Sequence, residues 1–409
     1  MCVNVGGNRH GWHEEKIKMQ ILPEIKEMHD ELTEWRHRIH KHPETAFEEY
    51  RTADFVAEKL ESFGIEVHRG LAKTGVVGTL THGSGNRAIG LRADMDALDL
   101  QELNEFEHRS QIDGKMHGCG HDGHTVMLLG AAKHLARTKN FDGTVRFIFQ
   151  PAEENVAGGR VMIADGLFDK FPVDSVYGMH NMPGHQVGTF AVCKGPIMAS
   201  ADFFEARIIG NGGHGAFPHL ATDPVVIASE IVLAWQNIVS RNVDPLQSAV
   251  VTVAQINGGH TGNVIPADVV LKGTTRAFDP KVQDMIENRM RQIAVGIAEA
   301  HGAKAEFSYD RRYAPTINSP EETDEAIAAA AELVGDSGVN KNVTPVMGAE
   351  DFSWMLQERP GCYIMIANGA GEGSCHVHNP NYDFNDEILP LGANYWVRLT
   401  ERILVQEAS

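Results

Sequence analysis

The sequence predicts an α/β fold with a sheet flanked by helices, interrupted by an inserted ferredoxin-like α+β domain. Three observations predict it. Short, near-continuous apolar runs alternate with helix-length segments through most of the 409 residues, as strands covered on both faces do. The stretch from about 200 to 314 instead orders its elements β-α-β-β-α-β. Polar clusters follow directly on the first kind of run, where open α/β sheets bind ligands.

Residues 14–40 read as a charged amphipathic helix, with Ile21, Leu22, Ile25, Met28, Leu32 and Trp35 on one face. Residues 52–63 form a second helix. The apolar runs 88–91, 144–149, 175–178 and 362–366 are the strands of the α/β part. In the insertion a strand at 203–209 precedes a helix at 224–239. Strands at 249–256 and 269–278 follow, then a helix at 280–301 and a strand at 305–309. The α/β character resumes afterwards, which places the boundaries at 1–198 and 315–409 for the discontinuous outer domain and 199–314 for the insertion.

Composition narrows the function. Hydrophobic residues make up 42% of the chain, enough for a real core, and the net charge is −19. That charge argues against nucleic acid and anionic membrane surfaces as partners. No apolar run approaches the ~20 residues of a membrane span, and the polar N-terminus has no signal-peptide core. The five cysteines, Cys2, Cys119, Cys193, Cys362 and Cys375, are few and scattered, which is no disulfide framework. A reducing, cytoplasmic location is the expectation.

The densest chemistry lies in Met116-His117-Gly118-Cys119-Gly120-His121-Asp122-Gly123-His124-Thr125, just before the helix-like run 126–132. A thiolate and an imidazole one residue apart suit zinc, cobalt, nickel or manganese. The same pair also fits a buried cysteine beside loop histidines. Glu153-Glu154 follows a strand, and in an extended segment the two would point opposite ways. One could hold a metal while the other serves as base to a metal-acidified water; alone, the pair reads better as a solvated acidic loop. His180 follows another strand, and alone it reads as a core or loop histidine. Segment 374–380 offers Cys375, His376 and His378. In Gly212-Gly213-His214-Gly215 the backbone can approach a ligand, and His214 could donate to an oxyanion, although an ordinary turn has the same composition. Asn263 and Arg276 together could hold a carboxylate; Arg276 alone reads as a surface charge.

In order along the chain, Asp94-Met95-Asp96-Ala97-Leu98, His117 to Thr125, Pro151-Ala152-Glu153-Glu154, Gly178-Met179-His180, Gly212 to His219, Asn263-Val264-Ile265-Pro266, Gly348-Ala349-Glu350-Asp351-Phe352 and His378-Asn379-Pro380 resemble the metal-dependent aminoacylase and carboxypeptidase family (peptidase family M20). The branch they resemble most holds hippurate hydrolases, N-acyl-amino-acid amidohydrolases and auxin-conjugate hydrolases. The resemblance runs from about residue 30 to the C-terminus. Cys119-x-His121 marks this branch, where related carboxypeptidases carry His-x-Asp.

The resemblance implies a di-metal catalytic domain with a mixed sheet. It holds two divalent ions per subunit, manganese or zinc first and cobalt or nickel as alternatives. The implied ligands are Cys119, His121, Glu154, His180 and His378, the last chosen over His376 because Asn379-Pro380 follows it. Glu153 is implied as general base on a bridging water, and Asp96 as the carboxylate orienting a ligand. His214 is implied as oxyanion donor reaching the partner subunit's site, with Asn263 and Arg276 on the substrate's carboxylate side. The insertion is implied as lid and dimer interface, giving a homodimer or a dimer of dimers. The activity implied is cleavage of N-acyl or N-aroyl amino acids to a carboxylic acid and a free amino acid. A dipeptidase or carboxypeptidase using the same site, and a non-catalytic metal-binding homologue, are the alternatives. Residues 1–14 match nothing in the family.

Overall fold

The computed structural model describes residues 17–369 and 375–406, except for the side chain of Asn155. Cys2, Ser374 and the first three residues of the expected 14–40 helix lie outside the described residues. The chain divides into two compact units. One comprises Met1–Gly195, Ile317–Thr344 and Trp354–Ser409; the other comprises Pro196–Thr316 and Pro345–Ser353.

The first unit is built on an eight-stranded mixed sheet. Its strands are Glu66–Leu71 (β1), Gly75–His82 (β2), Ala88–Asp94 (β3), Gly143–Gln150 (β4), Ser175–Pro183 (β5), Phe190–Ala191 (β6), Val339–Asn340 (β7) and Gly361–Gly369 (β8). The spatial order is β1-β2-β4-β3-β5-β8-β6-β7. The central β4, β3, β5 and β8 run parallel, while β1, β2 and β6 pair antiparallel with their neighbours toward the centre. Because β4 and β5 flank β3 on opposite sides, the chain reverses its direction across the sheet there. That reversal opens a crevice beyond the strand C-termini. Asp94 and Gln150, paired in register, end β3 and β4 at this edge.

The helix His121–Thr138 links β3 to β4, and most of its residues are buried. It packs on the helix Leu389–Ile403 at close range. A Cβ on Gly392 would lie 1.9 Å from Met127 Sδ, so any side chain there would force the two helices apart. The expected 14–40 helix is broken. Pro23 opens a single turn, Pro23–Lys26, and a second helix, His29–His40, follows. Leu22 is extended (ψ 133°), as the residue before a proline prefers. Strands β1 and β2 were not among the expected elements. Cys119 and Cys362 are buried free thiols, Cys193 is buried too, and Cys375 is disulfide-bonded. Among the described residues no helix is long and apolar enough to cross a membrane.

The second unit has a four-stranded antiparallel sheet in the order Ala249–Asn257, Asp268–Ala277, Ala201–Ile209, Lys304–Tyr313. Numbered along the chain this is 2-3-1-4, the ferredoxin-like arrangement. Two helices, Pro224–Asn237 and Pro280–Ala300, pack on it. Both begin the same way: Asp223 and Asp279 accept the N2 backbone N–H, with proline at N1. A separate core forms around Trp235, Phe204, Ile231, Ile286 and Met290. Trp235 stacks edge-on to Phe204 at 5.2 Å and donates its indole N–H to Met290 O.

Candidate metal centre

The site forms in the first unit where loops leave the strand ends. Gly120, at φ +95°, turns the chain into the helix that starts at His121. A Cβ at Gly120 would lie 2.4 Å from Asn181 Nδ2, so only glycine fits. The helix starts five residues earlier than the apolar run at 126–132 suggested. His121 and His124 therefore sit on its first turn rather than on a loop. After β4, Ala152 adopts φ +56° and donates its N–H to Glu49 Oε1 at 3.0 Å. This left-handed turn places Glu153 and Glu154 in the first turn of a short helix, Glu153–Val156. The extended geometry expected for the pair is thus corrected, since the backbone reverses before them. His378 is likewise left-handed (φ +65°), its N–H bonded to Gly118 O at 2.7 Å. Non-glycine residues held in this region store strain, and such positions cluster at functional sites.

Six donors converge. Ligand atoms of Cys119, His121 and His180 lie within 4.8 Å of one another, as do those of Cys119, Glu154 and His378, and those of His121, Glu153 and Glu154. The sets share Cys119, His121 and Glu154, so they form one cluster. His180 Nε2 is 3.4 Å from Cys119 Sγ, and His378 Nε2 is 3.2 Å from Glu154 Oε1. His376 is exposed and has no place in these sets.

Three of the donors, His121, Glu154 and His180, are held by partners behind them. Asp96 takes both central donors: Oδ1 lies 3.2 Å from His121 Nδ1, and Oδ2 accepts the Glu154 N–H at 3.0 Å. His180 Nδ1 faces the Asn181 carbonyl at 2.7 Å. In both histidines a proton on Nδ1 leaves Nε2 as an acceptor directed at the cluster. Asn181 ties the segments together. Its amide donates to Cys119 O at 2.6 Å, its Oδ1 accepts Tyr382 OH at 2.7 Å, and its backbone N–H donates to His124 Nε2 at 2.9 Å.

The other ligand types of the motif are engaged elsewhere. His124 Nδ1 bonds Asp94 Oδ1 at 2.7 Å, which leaves neither ring nitrogen free. Asp122 pairs with His40 at 2.8 Å. His117 is buried, without a hydrogen bond at either nitrogen and outside the cluster.

Charge in the cluster is unbalanced. Burial, then Glu154, Glu153 and Asp94, pushes the Cys119 thiol well above its ordinary value. Burial works against a charge on His121, but Asp94, Asp96 and Glu154 overcome it and raise the ring to about 10. Burial and His124 push His180 down to about 3, keeping it a neutral acceptor. His121 Nε2 is buried with no hydrogen bond, and Glu154 Oε1 lies 3.2 Å from His378 Nε2 and 3.8 Å from His121 Nε2. A buried ring nitrogen without a hydrogen bond amid excess negative charge is what a cation would satisfy. A thiol, imidazoles and carboxylates together suit divalent metal ions. The residues fit two divalent ions.

Residues 90–402 match the model of Peptidase family M20/M25/M40. The chain belongs to that family. Hippurate hydrolase of Campylobacter jejuni is 42% identical over 386 residues, covering 94% of this chain and all of that one. Thermostable carboxypeptidase 2 of Saccharolobus solfataricus is 38% identical, covering 91% of this chain and 95% of its own. A dinuclear metal-binding peptidase of family M20 from Bacillus subtilis, of known crystal structure, superposes with a TM-score of 0.81 at 33% identity, covering 93% and 99% of the two chains.

The remaining expected site residues of this family member lie in the second unit. His214 is exposed in a two-stranded ribbon, Gly213–His214 with Val264–Ile265. Next to it, Asn263 O accepts the Gly215 N–H at 2.9 Å. Arg276 is placed differently, at the other end of strand Asp268–Ala277. It is half-buried rather than a free surface charge. Sequence reasoning missed Asn181, which bonds the Cys119 carbonyl, Tyr382, which bonds Asn181, and Glu49, which accepts the Ala152 N–H. Only the position of Asn181 directly after His180 could have drawn attention to any of them.

Proposed function

We propose that this chain is an amidohydrolase that cleaves N-acyl or N-aroyl amino acids to a carboxylic acid and a free amino acid. The convergence of Cys119, His121, Glu154, His180 and His378 beside a further carboxylate, Glu153, carries the reading. A closed structural site needs four ligands and no spare base. The extent of the likeness to hippurate hydrolase supports the substrate class.

Two divalent ions, manganese or zinc, would be held by those five residues and would supply Lewis acidity and an acidified water. Glu153 accepts the proton of the attacking water and returns it to the leaving amine. Asp96 keeps His121 and Glu154 in place. His214 Nδ1 accepts the Ala216 N–H at 3.0 Å. That fixes the proton on Nε2, which makes His214 a donor suited to an oxyanion. Asn263 and Arg276 bind the substrate's carboxylate side.

Eight residues of strand separate Asp268, near the His214 ribbon, from Arg276, about 26 Å at the usual rise. A small amide does not reach both ends of one insertion. This supports His214 and Asn263 serving the partner subunit of a homodimer formed through the insertion. Exposed Val226, Leu233, Leu246 and Ile256 give that unit apolar surface to cover.

The test is hydrolysis of benzoylglycine, acetylated amino acids and dipeptides by chelated and by metal-replenished protein. Release of free amino acid only with manganese, zinc or cobalt present is expected. Absence of turnover on every substrate under every metal refutes the reading. Preferential cleavage of dipeptides selects carboxypeptidase action, which the likeness to the Saccharolobus enzyme supports.

A further inference from the structure

The donor cluster has two ends that share Cys119. One end joins it to His121 and His180, the other to Glu154 and His378. The ends are built differently. Asp96 and the Asn181 carbonyl brace the rings of His121 and His180. The His378 side chain is 53% exposed, and among the described residues its ring meets only Glu154. What steadies His378 is its chain segment. Its N–H bonds Gly118 O, and four residues on, Tyr382 is fully buried.

The Tyr382 hydroxyl donates to Asn181 Oδ1 at 2.7 Å, and Asn181 Nδ2 donates to Cys119 O at 2.6 Å. A carbonyl can only accept, so the Asn181 amide can face Cys119 in one sense alone, and the phenol meets the oxygen that this leaves. His180, next in sequence, is held by the Asn181 carbonyl. Asn181 thus bonds behind Cys119 and His180 and, through Tyr382, behind the segment of His378. The pair also presses on Gly120, between the donors Cys119 and His121. A Cβ there would lie 2.4 Å from Asn181 Nδ2 and 2.6 Å from Tyr382 Oη.

We propose that Asn181 and Tyr382 are positioning residues that link the two ends, so that the two ions bind cooperatively and the Tyr382 hydroxyl sets the affinity of the His378 end. The first ion bears the cost of ordering Cys119 and the amide behind it. The second meets a segment already held, which is positive coupling. Groups that brace ligands in this way are worth about 10–100-fold in metal affinity. The proposal rests on reading the cluster as a two-ion centre, and not on which amide is cleaved.

The test is titration of chelator-stripped protein with manganese(II), followed by calorimetry and by electron paramagnetic resonance. At one ion per chain the wild type should show spin-coupled pairs beside empty chains. Tyr382→Phe should show single, uncoupled ions, with the second ion bound at least about tenfold more weakly than the first. Asp383→Asn is the control. Asp383 anchors the same segment to Arg36 at 2.8 Å and to His108 at 3.1 Å, outside the Asn181 link. That variant should melt at a lower temperature and keep the coupled pairs. Single ions in the half-loaded wild type overturn the proposal, as does a Tyr382→Phe protein that loads like the wild type. Equal separation of the two steps in Asp383→Asn also overturns it, because general loosening would then explain the effect. A wild type that takes up no ion overturns the two-ion reading with it. Coupled pairs in a protein that cleaves no amide support this proposal and refute the amidohydrolase reading alone.

Discussion

The two units handle polar groups in opposite ways. In the first, charge is buried and held from behind: Asp96 holds His121 and Asn181 holds the Cys119 carbonyl beside a cluster of facing donors. In the second, His214 and its ribbon lie on the surface, and the cationic side chains line an open groove. The difference teaches a division of labour. A site that gathers cations must be rigid before they arrive, because unpaired buried donors are costly. Groups that meet a substrate must stay accessible until it binds.

The largest effect that tests this division is at Glu153. Glu153→Gln should retain both metals and lower kcat by roughly 10²–10⁴-fold, as loss of a general base does. Metal analysis and steady-state rates measure both halves. Wild-type turnover in the variant would remove Glu153 from the chemistry, and lost metal would make it a ligand. Next comes His214→Ala, expected to cost about 10²–10³-fold in kcat without loss of metal, the range for one oxyanion donor. Mixed with Glu153→Gln protein under conditions of subunit exchange, it should regain activity. No recovery after confirmed exchange would place His214 in the site of its own chain.

A third effect depends on pH and concerns the first unit alone. Burial disfavours a charged His40, but hydrogen bonds to Asp122 and Glu102 overcome burial and the repulsion of Arg36, raising the ring from 6.5 to about 9. The folded state therefore binds the proton more tightly than the unfolded chain. Its stabilisation is complete below pH 6.5 and is lost as pH rises through 9, by at most about 3 kcal/mol. Denaturant midpoints from pH 6 to 9.5 should fall in the wild type and stay flatter in His40→Gln. Parallel slopes in the two proteins would show that the pair carries no such linkage.

Much of this was legible beforehand, for identifiable reasons. The insertion could be read because its strands and helices keep clean periodicities and both helices open on Asp-Pro. Glu153, Glu154 and His180 could be read because each stood after an apolar run, whereas Cys119, His121 and His378 as ligands rested on the family resemblance. What escaped was set by backbone turns and distant partners. Nothing near Glu153 signals that Ala152 turns left-handed or that Glu49, 103 residues away, receives its N–H. Nor does spacing tell His121 from His124. Both lie on one helix turn, and only Asp94 and the Asn181 N–H saturate the second. The break at Pro23 was in plain view, but the apolar face on either side of it masked the interruption.

The smallest effect sharpens the contrast from the side of the second unit. Asp279 caps the Pro280–Ala300 helix by accepting the Lys281 N–H at 2.8 Å, in the open. Asp279→Ala should cost about 1 kcal/mol of that unit's stability. Because the cap touches only backbone at a helix start, kcat and metal content should not move. A two-unit chain whose halves unfold separately would show the loss in one transition of a calorimetric scan. A shift of a single shared transition would mean that the two cores melt together, so that the rigid site and the accessible one depend on the same cooperative fold.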